Sequence, residues 1–223
     1  AEVHALAKVE LHLHLEGAIP VRTFLSLIKK YDKGSDIRTE EQLAAKLSFT
    51  DFTHFIECWG WMCTLLRAPE DFEQLSYDVL SDLHRQNVVY AELFYSATRY
   101  WARDGNIKDI TEAILRGCNR ARTEFGIEFL LIPDISRHFE LAQIEGLVKA
   151  LVPYLGKGIV GIGLGGQEIG HPPKKFEQVY HTAAELGFRL HAHAGEVVGP
   201  ESVWGALNIL HAEVSWCITN SVH

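Results

Sequence analysis

Cysteine is sparse and unclustered in this chain: Cys58, Cys63, Cys118 and Cys217 are the four among 223 residues, and no pair forms C-x-x-C. A disulfide scaffold would be shorter and denser in cysteine, so reduced thiols in a cytosolic protein are expected. Positive charge is the second shortage. Lys and Arg number 21 against 29 Asp and Glu, a formal net charge of -8, which argues against nucleic acid or an anionic membrane as a main partner, because a phosphate surface is bound by clustered Lys and Arg. No apolar run reaches about 18 residues, and no basic segment followed by an apolar one opens the sequence. A cytoplasmic location is the expectation. Low-complexity linkers and internal repeats are absent too. With 47% hydrophobic residues, enough for a sizeable core, residues 1–223 read as a single domain.

What remains is a regular alternation. Short β-rich runs at 8–13, 88–94, 128–133, 158–164, 188–193 and 214–219 alternate with helical periodicity at 71–86, 110–125, 139–154, 175–186 and 201–210, the pattern of an α/β fold with a parallel sheet. Pro200 near the first turn of the last helix and Glu201 beside its N-terminal dipole suit that helix. The stretch 48–66 departs from the rhythm, as part of a helical excursion after the first strand. Phe52, Phe55, Trp59 and Met62 make an apolar stripe there, fitting either a helix packed on the core or a lid that excludes water.

Chemistry concentrates at two strand ends. In Lys8–Gly17, KVELHLHLEG, residues two apart share a strand face. His12 and His14 can therefore grip one metal ion, while Leu11, Leu13 and Leu15 face the packing. Arg189–Glu196, RLHAHAGE, repeats the design and adds a carboxylate, Glu196, where strand passes into loop. His191 and His193 share a face, and strand geometry leaves either as a ligand. Two such strands would converge at the C-terminal end of one parallel barrel, and an imidazole-rich site with an open position suits catalytic zinc.

Two other motifs fail on context. Gly161, Gly163 and Gly166 satisfy G-x-G-x-x-G, but Pro172 and Pro173 follow where a dinucleotide fold needs a helix to open. His14-Leu15-Glu16 mimics half of a cytidine-deaminase-type zinc site, without the required P-C-x-x-C.

The set H-L-H-L-E-G, H-A-G-E, NVVYAELFYS at 87–96, VGIGLGG at 160–166 and GPESVWGAL at 199–207 resembles the adenosine deaminase family of metal-dependent hydrolases. The resemblance implies a TIM-type (β/α)8 barrel with a helical lid insertion after the first strand. It implies one Zn2+ per chain, held by His12, His14 and His193, with His191 beside the site or merely packed. The implied reaction is hydrolytic deamination of adenosine, to inosine and ammonia, or of a closely related 6-aminopurine. Adenine, or an adenosine with a modified ribose, is the alternative substrate.

Glu196 is then the acid that protonates N1 of the ring, a role needing a raised pKa in a dry pocket. His14 also borders the substrate. The backbone amide of Gly166 matches a position that contacts a purine ring nitrogen, and Glu168 a pocket-lining acid. Glu16 stands where nucleoside-specific relatives often carry an Asp that reaches the ribose. Gly163 departs from an Asp common in the family. The partner is a small-molecule purine, and oligomeric state is left open.

Two family segments are missing from this sequence. The G-H-G and T-D-D strand ends, which supply a water-orienting histidine and a fourth, carboxylate ligand, are absent, and Asp134 is the last aspartate. One βα unit is skipped at the Glu213/Val214 junction and the last is lacking, so the barrel is expected to be incomplete. Either these residues belong to a longer protein, or the chain is a truncated homologue that binds zinc or a purine without turnover. Asp134, Glu92 and Arg137-His138 also fall near strand ends, with no role fixed by spacing.

Overall fold

The computed structural model describes residues 2–216. In chain order the elements are α1 (Glu2–Ala5), β1 (Lys8–His14), α2 (Val21–Tyr31), α3 (Glu40–Lys46), α4 (Phe52–Thr64), α5 (Pro69–Arg85), β2 (Val88–Tyr95) and α6 (Ala97–Asp104), followed by α7 (Ile107–Phe125), β3 (Glu128–Ser136), α8 (Leu141–Leu151), β4 (Gly161–Gly165), α9 (Glu177–Glu185), β5 (Arg189–His193), α10 (Pro200–Asn208) and β6 (Val214–Trp216). The six strands succeed one another in the sheet in chain order. That is the strand sequence of a (β/α)8 barrel, of which six strands are described. The part of the last strand expected at 217–219 lies outside the described residues. Among those residues no helix is long and apolar enough to cross a membrane.

The chain divides into two compact units, one made of residues up to Leu93 with Asp109–Phe129, the other of Phe94–Lys108 with the residues from Leu130 onward. The first holds β1 and the helical excursion. Its helices start on strong signals: Thr39 and Gln42 form a reciprocal capping box on α3, and the Asp51 side chain accepts from the His54 N–H at 2.9 Å to open α4. Asp71 joins α5 to α2. Its buried carboxylate accepts from Lys30 Nζ at 2.7 Å, the Tyr31 hydroxyl at 2.6 Å and the Ala68 N–H at 2.8 Å. Cys58, Cys63 and Cys118 are buried.

On β1 the apolar face departs from expectation. Leu15 is buried and Leu13 half-buried, but Leu11 is 42% exposed, so that side chain does not pack as the alternation suggested.

In the second unit β3, β4, β5 and β6 pair in parallel, with Asp134 opposite Gly163, Gly161 opposite Arg189 and His193 opposite Trp216. Every residue of β4 is buried, as a central parallel strand requires. Its glycines are steric necessities. A β-carbon on Gly161 would collide with the Arg189 carbonyl, and one on Gly163 with the Asp134 carboxylate. Asp134 therefore fills the space that a side chain at 163 would need. Pro200 takes the first helical position of α10, and Glu201 accepts from the Gly199 N–H at 3.2 Å.

Candidate metal and substrate site

In the first unit His12 and His14 point to one face of β1, as a two-residue spacing dictates. Their Nε2 atoms lie 3.1 Å apart and their ring centroids 5.0 Å apart. Two imidazole nitrogens bound to one tetrahedral zinc at 2.0–2.1 Å would sit about 3.3 Å from each other, so the pair already has the spacing of adjacent ligands. The Trp59 indole of α4 meets the His14 ring edge-on at 5.5 Å. A β-carbon on Gly17 would come within 3.1 Å of that indole, which explains a glycine after Glu16. Phe55 continues the aromatic run, 6.2 Å from Trp59 and 5.1 Å from Phe49. Met62, grouped with these residues by periodicity, is buried at 7% exposure. The stripe thus divides, with Met62 in the core and the half-buried Trp59 beside a histidine. Glu16 sits in the short 3-10 turn Leu15–Ala18 and is 1% exposed.

In the second unit β5 ends in His191 and His193, which the structure separates. His191 is 6% exposed and packs edge-on against Phe94 at 5.9 Å. His193 is half-buried, and its Nδ1 lies 2.9 Å from the Leu164 carbonyl. A carbonyl can only accept, so Nδ1 carries the proton and a neutral ring has its lone pair on Nε2. Metal-binding histidines are commonly oriented in this way. The donor chemistry of both units therefore fits a borderline-soft divalent ion such as zinc.

Glu196 follows in a loop, half-buried, with its N–H donating to Glu168 Oε2 at 3.0 Å. Glu168 itself is turned inward: its carboxylate accepts from the N–H groups of Gly195 at 2.7 Å and Val197 at 3.0 Å, and from the Ser202 hydroxyl. Burial alone would raise its pKa, but those hydrogen bonds and the Arg137 charge outweigh burial and hold it below the usual glutamate value. Arg137 is fully buried and donates to the carbonyls of His171 at 2.7 Å and His193 at 2.6 Å.

Gly166 has φ of +85°, and a β-carbon there would lie 3.4 Å from His138 Nδ1 and 3.5 Å from the Arg137 nitrogen. Those are ordinary contact distances, so it is the left-handed conformation that demands glycine. The roles of Arg137 and Glu168 went unread in the sequence as a loop support. Their spacing carries no motif, since His193 lies 56 residues beyond Arg137 and Glu196 28 beyond Glu168.

The chain is 36% identical over 213 residues to an aminodeoxyfutalosine deaminase of Streptomyces avermitilis, covering 95% of this chain and 60% of that protein. It is 31% identical over 211 residues to an adenine deaminase of Albidiferax ferrireducens, covering 95% and 61%. A zinc-bound amidohydrolase from Burkholderia ambifaria superposes with a TM-score of 0.85 at 30% identity, over 96% of this chain and 59% of that one. The chain thus spans about 60% of the length of these relatives. Residues 7–214 match the adenosine deaminase family, and with the paired β1 histidines and the H-A-G-E loop in place, the chain belongs to that family.

Proposed function

We propose that the protein carrying this chain hydrolytically deaminates a 6-aminopurine at one zinc ion, with residues 1–223 acting as a single hydrolase domain. The observation that carries this reading is the 3.1 Å approach of His12 Nε2 and His14 Nε2 in a chain of this family. His12, His14 and His193 each offer a ring nitrogen to the ion. When bound, zinc supplies a nucleophile at neutral pH by acidifying a water molecule.

The chain's own residues do the rest. Leu164 fixes the tautomer of His193. Glu196 holds a proton for N1 of the purine, so that charge pushed onto the ring by attack at the amino-bearing carbon is neutralised. The amide of Gly166, bare of any side chain, donates to a ring nitrogen. Trp59 and Phe55 on α4 cover the base and exclude water, which strengthens each charge interaction near the ring. The partner is a small molecule. A net charge of -8 disfavours nucleic acid and anionic membranes, and a cytoplasmic location accords with the composition.

Adenosine is the substrate that the family name suggests. The relatives' names add adenine and aminodeoxyfutalosine, and Glu16 in place of an aspartate favours a free base or a nucleoside with a modified ribose. The test is the ultraviolet absorbance change when the zinc-loaded, full-length protein is mixed with adenosine, adenine or a 5′-modified adenosine. Conversion of one of them is expected. No conversion of any, with zinc demonstrably bound, would overturn the reading in favour of a purine or zinc binder without turnover.

A further inference from the structure

Arg137 and Glu168 are buried charges that the proposed chemistry leaves unused. Burying such groups is costly unless they are hydrogen-bonded, and here most of their partners lie on one short stretch of backbone, residues 193–197, with the His171 carbonyl and the Ser202 hydroxyl as the others. Arg137 donates to the His193 carbonyl at 2.6 Å. Glu168 accepts from the next amides but one: Gly195 at 2.7 Å, Glu196 at 3.0 Å and Val197 at 3.0 Å, with the Ser202 hydroxyl as a fourth donor. A carboxylate has about four acceptor positions. All are used, two on each oxygen.

We propose that Arg137 and Glu168 form a brace of opposite charge that clamps the backbone on both sides of Ala194, and so sets the placement of His193 and Glu196. They are positioning residues, and the inference rests on the roles proposed above for His193 and Glu196. The loop needs such a device. Gly195 has φ of +77°, a conformation glycine reaches freely and also leaves freely, and the residues to 199 form no regular structure. Without the clamp, rotation at Gly195 would swing Glu196 while His193 stayed on its strand. A misplacement of about 1 Å in such a group can cost on the order of 100-fold in rate.

The side-chain types follow from the geometry. Glutamine at 168 would turn two hydrogens toward the loop donors. Aspartate, one methylene shorter, cannot span from Gly195 to Val197. Lysine at 137 would keep the charge but lose the fork that reaches the carbonyls of His171 and His193 together.

The test combines amide hydrogen exchange, zinc stoichiometry and steady-state kinetics on full-length wild type and Glu168→Gln. The brace predicts at least tenfold faster exchange at Gly195, Glu196 and Val197, with β4 amides unchanged, zinc retained, and kcat lowered far more than KM is raised. Unchanged exchange at these three amides would overturn it, as would exchange raised equally across the second unit. If Glu168→Gln does not fold, Glu168→Asp and Arg137→Lys are read in the same way. Each should loosen the loop selectively, and a global effect in both would mark the pair as structural support alone. Exchange and zinc binding need no turnover. A wild type that converts no aminopurine therefore sinks the proposed function while leaving the brace open to measurement.

Discussion

The β1 end and the β5 end each carry histidines two residues apart, yet they are built by opposite means. On β1 the pair is set by strand geometry and an aromatic neighbour: two Nε2 atoms 3.1 Å apart, with Trp59 edge-on to His14. On β5 the geometry comes from hydrogen bonds, with Leu164 holding His193 and with Arg137 and Glu168 gripping the loop that follows. A metal pair can be made by a local two-residue repeat. A histidine followed by a carboxylate on a loop takes its placement here from remote segments.

The comparison can be broken first at its ligands. His14→Ala and His193→Ala should each weaken zinc binding by more than about 100-fold, beyond the cost of losing an outer partner, as measured by competition with a chelator. Equal losses would show that the two strand ends serve one ion. Glu196→Gln should lower kcat by about 100- to 10,000-fold, the usual range for a lost proton donor, with zinc content unchanged. Full activity in that variant would remove Glu196 from the mechanism. Gly166→Ala sharpens the β5 side. A left-handed φ, here +85°, costs a non-glycine residue about 1–2 kcal/mol, so thermal unfolding should move down by several degrees.

Smaller effects probe the β1 side. Trp59→Ala removes an aromatic contact worth about 0.5–1.5 kcal/mol and should weaken zinc affinity by no more than about tenfold, while raising KM if the indole covers the base. Acid should loosen the α2–α5 joint. Burial opposes ionisation of Asp71, but hydrogen bonds from Lys30, Tyr31 and the Ala68 and Arg67 amides outweigh it and lower its pKa. Its stabilisation is therefore complete above the unfolded value of about 3.9 and fades as pH falls through the lower folded value. Asp71→Asn should remove that part of an acid-unfolding curve.

Much of the fold was legible because short β-rich runs alternate with segments of helical periodicity. β1 was expected at 8–13 and spans Lys8–His14, and β5 was expected at 188–193 and spans Arg189–His193. The misses have local causes. β4 begins at Gly161, not Gly158, because Gly156 and Gly158 adopt φ of +70° and +121°. α8 stops at Leu151, where Pro153 leaves only the 3-10 turn Val152–Tyr154. α6, Ala97–Asp104, is too short to show clear periodicity and is not among the expected helices. At the site, His12, His14, His193 and Glu196 could be named because their motifs are contiguous in sequence. The support for the loop could not, since Arg137, Glu168 and Ser202 come from three separate segments. Glu168, matched to a pocket-lining acid, has its carboxylate turned to backbone amides, and the Asp134–Gly163 fit emerges only from strand register.

The central claim is that the two strand ends supply one zinc site, and zinc X-ray absorption on the full-length protein tests it most directly, with wild type set against His193→Ala. The account predicts at least three imidazole nitrogens at about 2.0–2.1 Å in wild type and one fewer in the variant. An unchanged zinc shell in His193→Ala, or fewer than three imidazoles in wild type, would contradict it.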